Sequence, residues 1–163
     1  MSLKDNAQSV KNGALSPGTP APDFSLPVAL GDQVTLSALS GPVVLIFYPN
    51  DWSPVCGDEL SMFERSNALF EARGAQLLGI AVDSFWSHIA FRESRNLSFP
   101  LLADFNPKGE VARSYGVYRD GDGITERALF VLDKDHTITW SYVSQLQVSP
   151  GVEGALSAVE ALS

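Results

Sequence analysis

Two apolar segments, each of the length of one strand, most constrain what this chain can fold into. Residues 43–48 form a continuous apolar run, and a second buried strand is predicted at residues 76–82, which are apolar after Gln76. Such runs are typical of strands that are buried on both faces. The segment between them carries apolar side chains at helical spacing, namely Leu60, Phe63, Leu69 and Phe70. Gly74 then provides a helix stop signal, so the pattern predicts an α/β layered fold.

The rest of the chain continues this alternation. We predict helices over about residues 85–95 and 108–115, and a strand at residues 101–103. Two hairpins are predicted, with strands at residues 24–26, 34–36, 127–132 and 137–143. Ser149 and Pro150 suit the N-cap and first residue of a terminal helix.

Length and charge limit the domain organisation and the partners. At 163 residues the chain fits one domain, which we place at residues 17–163 after a flexible tail at residues 1–16. The net charge of −8 argues against nucleic acid as a partner. No apolar run approaches the roughly 20 residues that span a bilayer, and the N-terminus lacks the apolar segment of a secretory signal. We therefore expect a cytoplasmic protein without a membrane partner.

The chain has one cysteine, Cys56, placed where a proline-containing turn gives way to a helix. A thiol in the first turn of a helix faces unpaired backbone N–H groups and the positive end of the helix dipole. Both favour the thiolate, which is the reactive form, whereas a free cysteine is only slightly ionised at neutral pH. The placement indicates an activated nucleophile. From spacing alone, an inert cysteine in the core is an equal alternative.

Several segments together resemble the peroxiredoxin family. The spacing Pro49-x-x-x-Ser53-x-x-Cys56 is similar to the family signature, in which threonine or serine occupies the middle position. Further segments that resemble the family, in the same order, are residues 79–84, 86–88, 99–104, 115–117 and 127–133. The resemblance runs from Pro22 to the C-terminus and is greatest for the one-cysteine, bacterial AhpE-type group. It implies a thioredoxin-like fold, with a central mixed sheet flanked by helices and an N-terminal hairpin extension.

The resemblance also implies peroxide reduction and a role for each of four residues. Cys56 would attack the peroxide and become a sulfenic acid. Arg127 would favour the thiolate and hold charge as the O–O bond breaks. Ser53 would hydrogen-bond to the thiolate or to the attacked oxygen, and Pro49 would shape the turn and keep water off the sulfur. Each supporting residue also has a purely structural interpretation: Pro49 as a strand terminator, Ser53 as a helix N-cap and Arg127 as a surface charge.

Other candidates have weaker signals. Glu59 lies three residues after Cys56 and either orients Arg127 or only complements the helix dipole. Trp52 either shapes the peroxide pocket or covers Cys56. His88 is interpreted as a helix-surface residue rather than a catalytic base. Neither histidine pairs with Cys56 at metal-ligand spacing and no glycine-rich phosphate loop occurs, so we expect no metal and no cofactor.

A single cysteine has consequences for turnover. Ser61 occupies the position where some related enzymes carry a resolving cysteine, so an external thiol must reduce the sulfenic acid. A low-molecular-weight thiol, glutaredoxin or thioredoxin could act as reductant, and the chain could form a homodimer. The alternatives are a peroxide sensor that oxidises a bound partner protein and a non-catalytic binding module. A dithiol oxidoreductase is disfavoured, because Glu59 stands where its second cysteine would be.

Overall fold

A five-stranded mixed β-sheet forms the centre of the computed structural model, which describes residues 13–162. In chain order, the strands are β1 (Ser25–Ala29), β2 (Asp32–Thr35), β3 (Val43–Phe47), β4 (Gln76–Ala81), β5 (Leu101–Ala103), β6 (Tyr118–Arg119), β7 (Ile124–Thr125), β8 (Arg127–Leu132) and β9 (Ile138–Ser144). The central sheet has the order β5-β4-β3-β8-β9. Strands β3, β4 and β5 are parallel, whereas β8 is antiparallel to both β3 and β9. The remaining strands form the hairpins β1–β2 and β6–β7.

Four helices and the first hairpin cover the two faces of this sheet. The helices are α1 (Pro54–Glu71), α2 (Phe85–Arg95), α3 (Glu110–Ser114) and α4 (Glu153–Glu160). Strand β3 is buried along its whole length, and its side chains alternate between two apolar clusters. Val43, Leu45 and Phe47 pack with the β1–β2 hairpin and α3, whereas Val44 and Ile46 pack with α1, α2 and α4. Both faces of the sheet are therefore covered, as an uninterrupted apolar strand requires.

The predicted fold class is confirmed. The structure has the central mixed sheet, the flanking helices and the N-terminal hairpin that the sequence analysis expects. Helix α2 has the predicted bounds, and α1 ends shortly before Gly74, whose φ of 74° is the left-handed conformation that a chain reversal needs. No helix within residues 13–162 is long and apolar enough to cross a membrane.

The predicted start of the last helix is wrong. Helix α4 begins at Glu153, and its N-cap residue is Val152 rather than Ser149. The Ser149 hydroxyl accepts a hydrogen bond from the Gly151 backbone N–H, and Gly151 has a φ of 73° that interrupts any helix started at Pro150. In the first turn of the observed helix, Gly154 packs so closely against Trp140 that a Cβ atom would lie 2.7 Å from the ring.

The predicted N-terminal tail lies mainly outside the described residues. Its last four residues, 13–16, are described and contact the domain. The Leu15 backbone N–H donates to the Tyr115 carbonyl over 3.1 Å, and Ala14 and Leu15 pack against the cluster on the hairpin side. Residues 14 and 15 of the predicted tail therefore pack against the domain.

Candidate active site

Cys56 lies in the first turn of α1, at the carboxyl end of β3. The helix begins at Pro54, which needs no hydrogen-bond acceptor, and the preceding Ser53 has extended backbone angles. Cys56 is the third helical residue, so its sulfur lies at the positive end of the helix dipole. Its side chain is fully buried, with 0% exposure. The predicted placement of Cys56 in a first helical turn is confirmed.

Arg127 reaches Cys56 from the neighbouring strand. It is the first residue of β8, and the register that pairs Phe47 with Ala128 brings it beside the end of β3 and the start of α1. Its Nη2 atom lies 3.3 Å from the Cys56 Sγ atom, and its Nη1 atom donates to a Glu59 carboxylate oxygen over 3.1 Å. Arg127 is only 1% exposed, so the interpretation of this residue as a surface charge is wrong.

A backbone carbonyl holds the other side of the same guanidinium. The Leu146 carbonyl accepts from Nε of Arg127 over 2.9 Å and from Nη2 over 2.5 Å. Leu146 lies in the loop between β9 and α4, and the sequence analysis did not identify it. No side-chain signal could have identified it, because the contact uses only the main chain. The carbonyl fixes the guanidinium plane so that its remaining donors point at Cys56 and Glu59.

Glu59 contacts Arg127, as one of its two sequence interpretations expects. The carboxyl group is fully buried, and its Oε2 atom has no hydrogen-bond partner among the described residues. Burial raises the pKa of Glu59 from 4.5 to about 7, although the charge of Arg127 and the hydrogen bond to it act in the opposite direction. Arg127 thus faces two groups that can become anionic, the Cys56 thiol and the Glu59 carboxyl. Ionisation of one disfavours ionisation of the other.

The two remaining signature residues shape the turn before the helix. Pro49 is buried and follows the last β3 residue by two positions, which agrees both with a strand terminator and with a shield for the sulfur. Ser53 is half-buried and occupies the N-cap position, but its hydroxyl makes no capping hydrogen bond. Side-chain capping is therefore not the role of Ser53 in this conformation, and its hydroxyl is available for a substrate.

Trp52 faces α2. Its indole is 58% exposed, packs edge to face on Phe91 with 5.2 Å between ring centroids, and donates from Nε1 to Ser87 Oγ over 3.3 Å. Its φ of 72° places a bulky residue in the left-handed region, which costs about 1–3 kcal/mol that the surrounding contacts must offset.

The prediction that His88 is a surface residue is wrong. Its ring is 1% exposed, because it lies on the face of α2 that packs toward β5. Its Nε2 atom lies 3.1 Å from the Leu102 carbonyl, and its Nδ1 atom lies 2.7 Å from the Asp51 carboxylate. The Tyr48 hydroxyl donates to the other Asp51 oxygen over 2.8 Å.

Tyr48 and Asp51 are buried residues of the site region that the sequence analysis missed. Burial, reinforced by Asp51, raises the pKa of Tyr48 well above its usual value, so the phenol keeps its proton. Both residues flank Pro49, and a polar residue next to a buried strand end is the signal that could have identified them. Asp51, Asp83 and His88 also bring metal-ligand atoms within 4.8 Å of one another. These atoms already take part in hydrogen bonds: Asp83 accepts from the Asp51 backbone N–H over 2.7 Å, and the Asp51 carboxylate lies 2.7 Å from His88 Nδ1.

Comparison with known proteins agrees with this geometry. The AhpC/TSA family matches residues 17–141. Peroxiredoxin 2 of Thermoplasma acidophilum is 34% identical over 152 residues, which cover 89% of this chain and 75% of that protein. A peroxiredoxin of Thermoplasma volcanium is 32% identical over 152 residues, which cover 89% of this chain and 73% of that protein.

Solved structures match the fold over nearly the whole chain. The peroxidoxin BcpB from Mycobacterium tuberculosis superposes with a TM-score of 0.81 at 30% identity, covering 91% of this chain and 99% of that one. The reduced 2-Cys peroxiredoxin of Plasmodium vivax gives a TM-score of 0.82 at 26% identity, covering 91% of this chain and 82% of that one. The chain therefore belongs to the AhpC/TSA family and is a peroxiredoxin, a thiol-dependent peroxidase.

Proposed function

We propose that Cys56 is the residue that attacks hydrogen peroxide and organic hydroperoxides. The observation that carries the proposal is the 3.3 Å contact between Arg127 Nη2 and the Cys56 Sγ atom at a helix N-terminus. A guanidinium and a helix dipole both favour the thiolate. The thiolate attacks one peroxide oxygen, an S–O bond forms and the O–O bond breaks. The departing oxygen takes up a proton and leaves as water or alcohol, while Cys56 becomes a sulfenic acid.

The neighbouring residues stabilise this attack. Arg127 stays cationic and lies where charge develops on the two oxygens, so it stabilises the transition state without exchanging a proton. The unused Ser53 hydroxyl donates to the attacked oxygen, and Pro49 keeps water from the sulfur. Glu59 holds the second arm of the Arg127 guanidinium over 3.1 Å and is a positioning residue. Trp52 has no direct role in this step and acts through the turn.

Recycling requires a thiol from another molecule. The sequence contains one cysteine, and Ser61 replaces a nearby resolving thiol, so the enzyme follows a one-cysteine mechanism. The reductant thiol attacks the sulfenic sulfur, the S–O bond breaks, water leaves and a mixed disulfide forms. A second thiol then attacks the reductant's sulfur, which releases the Cys56 thiolate and leaves a disulfide of the reductant. A low-molecular-weight thiol, glutaredoxin or thioredoxin could supply these electrons. Since Cys56 is 0% exposed, the first turn of α1 must move before a thiol can reach the sulfur.

Three narrower assignments accompany this function. The lone thiol and the one-cysteine mechanism favour the AhpE-type group. A reducing cytoplasm, where the enzyme contributes to redox homeostasis, suits a protein whose single cysteine must stay reduced. A homodimer is consistent with the large apolar side chains that are exposed, among them Leu30, Trp86 and Phe105. Cell fractionation and sedimentation of the reduced protein test the location and the dimer.

The decisive experiment is stopped-flow oxidation of the reduced protein by hydrogen peroxide and by an organic hydroperoxide, with Cys56→Ser as control. We expect a second-order rate constant that exceeds that of free cysteine by orders of magnitude and that disappears in Cys56→Ser. The ratio of the two rates defines the substrate preference. A wild-type rate equal to that of free cysteine would refute the peroxidase function of this site.

A further inference from the structure

The turn between β3 and α1, residues 48–53, is fastened to α2 by a network of hydrogen bonds that the reaction described above does not use. We propose that this network positions the Cys56 thiolate for attack on the peroxide, and this proposal rests on the peroxidase function of Cys56. The members of the network are Tyr48, Asp51, Trp52, Ser87 and His88. They are positioning residues, because they act on the sulfur through the backbone of the turn.

Trp52 is the member whose backbone needs to be held. Its φ of 72° is a conformation that bulky L-residues rarely adopt, so the turn does not take this shape by local preference. The residue is also 58% exposed, so burial of the indole is not what holds it. Two contacts with α2 do so: the edge-to-face packing on Phe91 and the hydrogen bond from Nε1 to Ser87 Oγ.

Asp51 connects the turn to α2 and to the segment after β4, and it also bonds to Tyr48 within the turn. One carboxylate oxygen accepts from the Tyr48 hydroxyl over 2.8 Å, and the other accepts from Ser87 Oγ over 2.8 Å and lies 2.7 Å from His88 Nδ1. The Asp51 backbone N–H donates to Asp83, just beyond the end of β4. Asp51 is only 4% exposed, so these bonds form away from water and are costly to lose.

His88 lies at the centre of the network. Its Nε2 atom lies 3.1 Å from the Leu102 carbonyl, which can only accept a hydrogen bond. Its Nδ1 atom lies 3.3 Å from the Tyr48 hydroxyl and 2.7 Å from an Asp51 oxygen. The contact with Asp51 is a short hydrogen bond between two buried groups. An asparagine at position 51 can replace this bond, because its amide donates to Nδ1 of a neutral imidazole.

The network and Arg127 approach Cys56 from different elements. Arg127 belongs to β8 and contacts the sulfur, the Glu59 carboxyl and the Leu146 carbonyl. The network joins the turn to α2 and includes none of these groups. Mutation can therefore change the position of the thiolate without removing the cation that stabilises it. Misplacement of a reacting atom by about 1 Å can cost on the order of a hundredfold in rate.

Trp52 and Ser87 provide the first set of variants. We expect Trp52→Ala and Trp52→Gly to lower the second-order rate constant with hydrogen peroxide by about tenfold or more, because both lose the contacts with α2. Trp52→Gly should have a higher melting temperature than Trp52→Ala, because glycine adopts a φ of 72° without strain. Ser87→Ala should lower the rate less, since the indole keeps its contact with Phe91.

Asp51 provides a matched pair that separates hydrogen bonding from size. Asp51→Asn keeps an acceptor for Tyr48 and gives a donor to His88. It loses the acceptor for Ser87 Oγ, which can instead accept from the amide, so the variant should retain most of the wild-type rate. Asp51→Leu has a similar volume but loses every side-chain bond of the network, so its rate should fall by about tenfold or more. If Asp51→Leu does not fold, the Trp52 and Ser87 variants still decide the question.

A second readout distinguishes positioning from a merely structural role. The rate of alkylation of Cys56 by iodoacetamide reports access to the buried sulfur. Mass spectrometry of quenched samples gives the rates of alkylation and of peroxide oxidation without relying on Trp52 fluorescence. Loosening the turn should slow peroxide oxidation and accelerate alkylation in the same variant. Ile138→Val, which lowers stability by removing a buried methylene from β9, should change neither rate.

The possible results separate the two proposals. If the wild type reacts fast with peroxide, and Trp52→Ala and Ser87→Ala each react as fast as the wild type, the positioning role is overturned and the peroxidase function stands. The positioning role is also overturned if Ile138→Val and Trp52→Ala change the ratio of the oxidation rate to the alkylation rate equally. Such a result would mean that the ratio depends on the stability of the protein rather than on the turn. A wild-type rate no greater than that of free cysteine would overturn the peroxidase function and this inference with it.

Discussion

Replacing Glu59 by glutamine should remove a pH-dependent part of the stability of the protein. The folded protein raises the pKa of Glu59 from 4.5 to about 7, so it binds the proton more tightly than the unfolded chain does. Glu59 therefore contributes stability that is complete below about pH 4.5 and is lost as the pH rises to about 7. A shift of this size corresponds to about 3 kcal/mol. Glutamine keeps an acceptor for Arg127 but does not titrate.

The measurement is urea-induced unfolding of reduced wild type and Glu59→Gln between about pH 4.5 and about pH 8. The free energy of unfolding of the variant should increase relative to wild type by about 3 kcal/mol across this range. Titrating groups that do not interact with Glu59 cancel in the difference. Glu71→Gln, an exposed position on the same helix, is the control and should show a constant difference. A constant difference in Glu59→Gln would show that the ion pair with Arg127 balances burial, and a change in the opposite direction would show that the ion pair outweighs it; either result would refute the raised pKa.

Three other predictions concern the site and the network. Arg127→Lys keeps a positive charge but cannot contact Cys56, Glu59 and the Leu146 carbonyl together. Oxidation by peroxide, followed by stopped flow, should therefore slow by about a hundredfold or more. A rate near that of the wild type would mean that a positive charge alone is sufficient. Ser53→Ala should slow oxidation by peroxide less than Cys56→Ser does, and Ser53→Thr, which keeps a hydroxyl, should react at the wild-type rate. An unchanged rate in Ser53→Ala would show that the hydroxyl takes no part in the reaction. Tyr48→Phe leaves a buried Asp51 oxygen without its donor, so urea unfolding should show a loss of about 1–3 kcal/mol, and no loss would mean that this bond is replaced.

The fold could be predicted from the sequence because its strongest signals are local. The apolar run of β3 is buried along its whole length and has both faces covered, as its composition requires. Helix α2 begins and ends at the predicted residues, since Ser84 accepts from the Ser87 backbone N–H and Asn96 adopts a left-handed C-cap with a φ of 53°. These signals lie within a few residues of the features that they determine.

The start of α4 and the burial of His88 could not be predicted from local pattern. Ser149 and Pro150 have the residue types of a helix start, but Trp140 from β9 determines where the helix can pack. His88 lies on a helix that exposes Trp86, and only the three-dimensional fold brings Asp51 and the Leu102 carbonyl to its two nitrogens. Contacts between residues distant in sequence override local preferences in both cases.

The residues of the site that lie close together in the sequence could be predicted, whereas those that lie far apart could not be placed from local pattern. Cys56 and Glu59 share one helical turn, so their proximity follows from their spacing. Arg127 lies 71 positions after Cys56, and family resemblance rather than spacing indicated its role. Trp52 could not be interpreted, because its direction depends on a left-handed backbone angle that the sequence does not reveal.

The Leu146 carbonyl implies an unusual evolutionary constraint on this enzyme. Two N–H groups of Arg127 donate to a main-chain oxygen, which every amino acid possesses. Many side chains at position 146 could therefore be exchanged without changing this contact. An insertion or deletion in the loop at residues 145–152 would move the carbonyl itself and rotate the guanidinium away from the sulfur. Selection at this point should act on the length of the loop rather than on its composition.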